Sequence, residues 1–132
     1  MKSIHVMLMG LLCLIFLGSL SSFSSEESSK KQVLRHVVSF QFKDDISKER
    51  QAQAIKDFLD LKNQIPEIKK FVGGEDVSVE GLNKGFSHCF VMTFESKEAR
   101  DIYIPHPAHI KLAEKNKPLM KDLLVVDFWG EE

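Results

Sequence analysis

Residues 34–42 read Leu-Arg-His-Val-Val-Ser-Phe-Gln-Phe, and their alternation decides the fold. Large apolar residues and one histidine take every second position: Leu34, His36, Val38, Phe40 and Phe42. Successive side chains of a strand point to opposite faces of the sheet, so this pattern predicts a strand with one strongly buried face. The stretch from Phe86 to Phe94 repeats the period and places His88 and Phe90 on its apolar positions. Both histidines should therefore face the core.

The remaining segments supply two more strands and two helical elements. Apolar spacing of three and four residues predicts helices, and alternating or continuous apolar runs predict strands. In chain order these are a helix over 47–63, a strand over 68–77 bent at its two glycines, the strand over 86–94, a helix broken into 96–103 and 108–117, and a strand over 123–129. The order β-α-β-β-α-β predicts an α+β, ferredoxin-like sandwich: a four-stranded antiparallel sheet with helices on one face.

The face of the sheet opposite the helices also carries apolar residues. Val37 and Val91 belong to it, together with either Val125 or its neighbours. A lone protomer would leave this patch in water, and an exposed apolar patch of several hundred Å² usually marks an interface. Two such sheets packed face to face predict a two-fold symmetric homodimer.

Composition limits the partners. Hydrophobic residues make up 43% of the 132 residues and charged residues 28%, which is typical of one globular domain. Lys and Arg total 18 against 19 Asp and Glu, giving a net charge of -1. Without a basic excess there is no surface to neutralise phosphates, so we expect no nucleic acid partner.

The first residues have the character of a targeting segment. Lys2 precedes an apolar stretch over 4–20, and small serines follow it. This predicts a signal peptide over 1–24, a disordered leader over 25–32 and a folded domain over 33–130. The protein would then be exported to the periplasm or the extracellular space, with no membrane contact after cleavage. The alternative is an uncleaved membrane anchor, because the apolar stretch approaches the roughly 20 residues that span a bilayer.

The candidate chemistry lies in a histidine-rich loop and in the two strand histidines. His106 and His109 lie three residues apart across a proline, and Tyr103 precedes them. His109 falls in a first helical turn, where the helix dipole disfavours the protonated ring, so it suits a general base. Structural roles are the alternative: His106 can cap the helix, Tyr103 can fill the core, and each strand histidine can be satisfied by a backbone carbonyl.

Metal and cofactor sites are less well supported. His106 and His109 could join a strand histidine on a metal, but no carboxylate accompanies them within the loop. The glycines at 73 and 74 do not open a helix in the spacing of a phosphate loop, and no serine nucleophile elbow is present. We therefore expect neither a metal nor a cofactor.

Four segments of this chain resemble the stress-responsive A/B barrel family, the dimeric α+β barrels abbreviated Dabb. They are 36–43, 83–88, 103–109 with its Tyr-Ile-Pro-His-Pro-Ala-His sequence, and 124–128. The resemblance implies a dimeric α/β barrel with a cavity between sheet and helices. Family functions are mostly unassigned, but one branch is a cofactor-free polyketide cyclase. By that analogy Tyr103 and His109 act on the substrate. The expected cavity lining is His36, Phe40, His88, Phe90 and His106.

Two functions follow from these observations. The first is an exported homodimer that holds a small apolar or aromatic ligand in a Phe-lined cavity, as a binding or stress-protective protein. The alternative is a cofactor-free cyclase or lyase, in which His109 removes a proton next to a carbonyl and Tyr103 hydrogen-bonds to the developing enolate. A monooxygenase has only fold analogy in its favour. The sequence does not decide whether the chain is an enzyme.

Overall fold

A four-stranded antiparallel sheet covered by helices on one face forms the structure, a computed structural model that describes residues 30–132. The sheet order is β2-β3-β1-β4. The elements in chain order are β1 (Gln32–Phe42), α1 (Lys48–Leu59), α2 (Leu61–Gln64), β2 (Lys70–Glu75), β3 (His88–Phe94), α3 (Lys97–Tyr103), α4 (Pro107–Asn116), a 3-10 turn (Lys117–Leu119) and β4 (Met120–Glu131). The predicted α+β, ferredoxin-like fold is confirmed. The predicted signal peptide lies outside the described residues.

Element boundaries differ from the sequence predictions where strand pairing decides them. β4 is longer than the predicted 123–129, because it pairs with β1 from Gln32↔Glu131 to Phe42↔Met120. For the same reason Gln32 belongs to β1 and not to the leader. The predicted helix over 47–63 is divided at Asp60 into α1 and α2.

The helix-facing side of β1 forms the core. Leu34, Phe40 and Phe42 are buried there as predicted. Phe40 stacks on Phe90 of β3 at 5.4 Å between ring centroids, and Phe58 of α1 packs edge-on against Phe90 at 5.2 Å. Burying such side chains contributes about 1.5–3 kcal/mol each, so this aromatic cluster fixes α1 on the sheet.

Side-chain caps set where the later helices begin. The Ser96 hydroxyl accepts the Ala99 N–H at 3.2 Å at the start of α3. Nδ1 of His106 accepts the Ala108 N–H at 3.2 Å at the start of α4, with Pro107 in the first turn. These caps satisfy N–H groups that the first turn leaves free, and they fix the loop that carries the histidines.

The open face of the sheet presents one continuous row of valines. Register places Val72, Val91, Val37 and Val126 side by side across all four strands. Val72 is 63% exposed and Val126 is 47% exposed. Val125 points to the helix-facing side, where it lines a cavity, so its neighbours form the open face.

None of the helices in residues 30–132 combines the length and the apolar character needed to span a membrane.

Gly73 and Gly74 provide a matched test of how closely β2 packs on β3, whose pairing with β2 runs through both glycines without a register shift. Gly73 has φ +155°, and an added Cβ would collide with the Cys89 carbonyl oxygen and the Phe90 backbone of β3. We expect Gly73→Ala to lower the free energy of unfolding by about 2 kcal/mol or more, since it combines strain with a backbone clash. Gly74→Ala should change it by less than about 0.5 kcal/mol, because a Cβ there meets nothing within 4 Å. Chemical denaturation measures both, and equal effects would contradict a close backbone approach at Gly73.

Candidate functional site

A cavity of about 630 Å³ opens between the sheet and the helices. The helices cover the strands unevenly: Phe90 of β3 is fully buried, whereas Leu123 and Val125 of β4 are 56% and 49% exposed. The space above β4 is therefore the cavity. Its wall consists of His36, Val38, Phe40, Ala54, Phe58, Tyr103, Ile104, His109, Leu112, Ala113, Asn116, Lys117, Met120, Lys121, Asp122, Leu123 and Val125.

Tyr103, the last residue of α3, lies between two histidines in this wall. Its ring centroid is 5.6 Å from that of His36 and 4.4 Å from that of His109. Burial raises the pKa of the Tyr103 phenol well above its usual value, so its hydroxyl stays protonated near neutral pH. No side chain or backbone group within residues 30–132 hydrogen-bonds to that hydroxyl. It is therefore a donor available to a molecule in the cavity.

His109 is held in one tautomer by the backbone. Its Nδ1 lies 2.7 Å from the carbonyl oxygen of Ile104. A carbonyl oxygen only accepts hydrogen bonds, so Nδ1 carries the proton and donates it. In the neutral ring the lone pair is therefore on Nε2, which is the arrangement that a general base requires.

His36 is held in the same way by a carboxylate. β1 and β4 pair His36 directly with Asp127, and His36 Nδ1 donates to Asp127 Oδ1 at 2.6 Å. The other carboxylate oxygen accepts from Arg100 of α3. Burial lowers the pKa of His36; Asp127 opposes this shift, whereas Arg100 and His109 add to it. His36 is therefore neutral near pH 7, with its lone pair on Nε2.

Three residues assigned to the cavity by sequence lie outside it. His88 stacks on Phe40 near the β2 edge of the sheet, and Ser87 Oγ lies 2.9 Å from its Nδ1. Phe90 is fully covered by Phe58 and Phe71. His106 uses Nδ1 to cap α4 and is absent from the cavity wall. The alternation of apolar residues predicted the correct face of the sheet for the strand residues. It could not show which part of that face is covered by helix side chains and which part borders the cavity.

Four of the predicted site residues do meet in the cavity: His36, Phe40, Tyr103 and His109. Asp127, Arg100 and Asn116 were not predicted as site residues. Asp127 had a signal, because it is an acid inside an otherwise apolar strand. Arg100 and Asn116 had none.

Within the part of the chain that the structure describes, no group of three or more His, Cys, Asp or Glu residues could hold a metal ion. The arrangement suits proton transfer inside an apolar cavity.

The buried histidines make stability depend on pH. Because burial lowers the pKa of His36 below 6.5, the unfolded chain binds a proton that the folded chain does not. The stabilisation is full above pH 6.5 and is lost as pH falls through the lower folded pKa. Burial shifts the pKa of His88 in the same direction. We therefore expect the free energy of unfolding to fall from about pH 7.5 to pH 5.5, and His36→Gln to reduce that slope. Denaturant titrations across this range measure it; parallel curves for the two proteins would contradict it.

Several known proteins are similar to this chain in sequence and in fold. The profile of the Stress responsive A/B Barrel Domain matches residues 34–130. Stress-response A/B barrel domain-containing protein HS1 of Arabidopsis thaliana is 42% identical over 98 residues, which cover 74% of this chain and 90% of that protein. Olivetolic acid cyclase of Cannabis sativa is 32% identical over 95 residues, which cover 72% of this chain and 94% of the cyclase. The structure of a hydroxynitrile lyase from Passiflora edulis superposes with a TM-score of 0.72 at 27% identity, over 77% of this chain and 96% of the lyase. The chain belongs to the stress-responsive A/B barrel (Dabb) family.

Proposed function

We propose that this protein is an acid–base enzyme that forms or breaks a carbon–carbon bond next to a carbonyl group, without a cofactor. The observation that carries the proposal is the Tyr103 ring in contact with two histidines whose Nδ1–H groups are both engaged, in the wall of one largely apolar cavity. Such a site supplies a hydrogen-bond donor and two bases of fixed tautomer. These groups are sufficient for proton transfer at a carbon next to a carbonyl.

The first step is enolisation. Nε2 of His109 takes a proton from the carbon next to the carbonyl, and the electron pair of that C–H bond moves to the carbonyl oxygen. The protonated Tyr103 hydroxyl donates a hydrogen bond to the enolate oxygen as its charge develops. A donor preorganised in an apolar site is worth about 10²–10³ in rate, which makes Tyr103 the stabilising group.

The second step forms the bond. The enolate carbon attacks a second carbonyl carbon of the same molecule, which gives an aldol-type ring, and the new alkoxide takes the proton from His109. In the reverse reaction, a histidine removes the proton of the hydroxyl group, and the carbon that carried this group becomes a carbonyl carbon. The carbon–carbon bond breaks, and its electron pair leaves with the departing fragment. One site therefore suits either a cyclase or a lyase.

His36 is the second base of this site. Asp127 fixes its ring through Nδ1, and Arg100 holds the carboxylate on the other side. A neutral, oriented imidazole next to Tyr103 can accept the second proton that a cyclisation or cleavage requires. The relatives favour the same chemistry, because one is named a cyclase and another a lyase.

Ligand binding without turnover is the second candidate function. It is favoured by the largely apolar wall of the cavity, which suits a small apolar or aromatic molecule. The relative HS1 carries a stress-response name and no reaction in that name. A protective or carrier role would need the cavity but neither the tautomer of His109 nor the free hydroxyl of Tyr103.

We also propose that the protein is a homodimer through the open face of its sheet. The valine row (Val72, Val91, Val37 and Val126) is exposed at both edges of the sheet, and Leu124 and Phe128 of β4 are 45% and 49% exposed. A two-fold contact between two such faces buries both patches at once.

Proton exchange in D₂O tests the enzymatic proposal. The probe is a methyl ketone joined through two methylene groups to a phenyl ring, and ¹H NMR follows loss of the protons next to its carbonyl. We expect the protein to accelerate exchange, His109→Gln to reduce the acceleration by about 10²–10⁴, and Tyr103→Phe to reduce it by about 10²–10³. Gln keeps a donor for the Ile104 carbonyl, and Phe keeps the ring packing.

His106→Asn is the control, because asparagine also caps a helix and His106 is absent from the cavity wall. It should retain the exchange rate. If the probe binds but the wild-type rate equals the buffer rate, ligand binding without turnover is the function and the enzymatic proposal fails.

The oligomeric state tests the dimer. Val91→Lys places a charge in the middle of the valine row, so we expect monomers or aggregates in sedimentation velocity runs in which the wild type is a dimer. Lys115→Met, on the helical side of the protomer, should leave the dimer intact. An intact dimer in Val91→Lys would move the interface elsewhere.

A further inference from the structure

Asn116, the last residue of α4, has a buried acceptor that nothing in the described residues satisfies. The residue is 6% exposed and belongs to the cavity wall. Its Nδ2 donates to the Ala54 carbonyl of α1 at 3.4 Å, and its Oδ1 has no hydrogen-bond partner within residues 30–132. Buried polar groups are nearly always paired, so an acceptor left without a partner beside a cavity needs an explanation.

The orientation of this amide is fixed by its neighbour. Turning the amide over would point Oδ1 at the Ala54 carbonyl oxygen, and two acceptors cannot hydrogen-bond to each other. Oδ1 is therefore the atom left for another partner. Oδ1 itself is buried, so a ligand in the cavity would reach it after a rotation about the Cβ–Cγ bond, which the long Nδ2 contact opposes only weakly.

Asn116 and His109 lie near opposite ends of the part of α4 that lines the cavity. Asn116 follows His109 by about two turns of α4, so the two share one face of the helix and lie about 10 Å apart along its axis. Leu112 and Ala113 line the cavity between them. Along α4, the cavity wall therefore has a polar side chain at each end and apolar side chains between them.

We propose that Asn116 is a second polar anchor, and that the ligand is an elongated, mostly apolar carbonyl compound with a hydroxyl group at its far end that donates to Asn116 Oδ1. The carbonyl end of this assignment rests on the proposed function, whereas the hydroxyl end rests on Asn116 alone. Asn116 Oδ1 only accepts hydrogen bonds, so it pairs with the hydroxyl of a neutral alcohol or phenol, whereas a carboxylate would pair with Lys117 or Lys121 of the same wall.

A matched pair of probes tests the anchor by binding alone. One is a methyl ketone joined through two methylene groups to a para-hydroxyphenyl ring, and the other is the same ketone with an unsubstituted phenyl ring. We expect the wild type to bind the hydroxylated probe about tenfold more tightly by isothermal titration calorimetry, which corresponds to about 1.4 kcal/mol. Asn116→Leu, close in size but without an acceptor, should bind both probes equally.

Asn63→Leu is the matched control, since Asn63 hydrogen-bonds to Asp60 on the protein surface and is absent from the cavity wall. It should keep the tenfold preference. The wild type also gives a test that needs no variant: the hydroxylated probe should shift the Asn116 side-chain amide signals in ¹H–¹⁵N NMR, and the phenyl probe should not. No preference in the wild type, an unchanged preference in Asn116→Leu, or equal amide shifts would overturn the proposal.

The outcome separates this inference from the proposed function. A hydroxyl preference that depends on Asn116, together with no exchange at the carbonyl, keeps the anchor and rejects the enzyme. Exchange that depends on Tyr103 and His109, together with a hydroxyl preference unaffected by Asn116→Leu, keeps the enzyme and rejects the anchor.

Discussion

Incomplete cover of a four-stranded sheet by its helices is the constraint on which the rest of this structure depends. The helices seal β3, where Phe90, Met92 and Phe94 have no exposed surface, but they leave β4 with residues such as Val125 half exposed. On the covered face, this unevenness leaves a cavity above β4. On the other face, which no helix of residues 30–132 covers, the valine row is exposed. Both features come from one geometric fact, because a sheet has two faces and the helices of this chain cover part of one.

The acid–base groups lie at the boundary between the sealed core and the open strand. Tyr103 and His36 are buried enough for desolvation to favour their neutral forms, yet both reach the cavity wall. At a position deeper in the core, such as that of Phe90, the His36 ring would be buried and a molecule in the cavity could not reach it. A position in open water would leave the tyrosine closer to its ordinary pKa. The boundary thus supplies a donor that stays protonated and an imidazole that stays neutral.

Local sequence patterns predicted the fold and part of the candidate site. Alternation assigned His36 to the helix-facing side, and the sequence of the loop over 103–109, through its resemblance to the family, implied that Tyr103 and His109 act together; both signals are local in the sequence. The His36–Asp127 pair is not local: the two residues are 91 positions apart, and their contact depends on the β1–β4 register. Asn116 gave no signal because it lies among lysines that resemble a solvated helix face. His106 was assigned to the cavity together with the family resemblance, whereas the structure shows the other role that the sequence allowed, a helix cap.

β4 connects the two faces of the sheet, and this connection bears on how the site is held in place. Val125 faces the cavity, Val126 belongs to the valine row, and Asp127 holds His36, so three consecutive residues serve three different purposes. β4 pairs with β1 along one edge only, and its other edge has no neighbouring strand among residues 30–132. A partner packed on Val126 would therefore restrain the same strand whose carboxylate orients the histidine. Because proton transfer depends on positions held to a fraction of an ångström, the proposed contact at the open face would restrain, through this one strand, the groups of the proposed acid–base site.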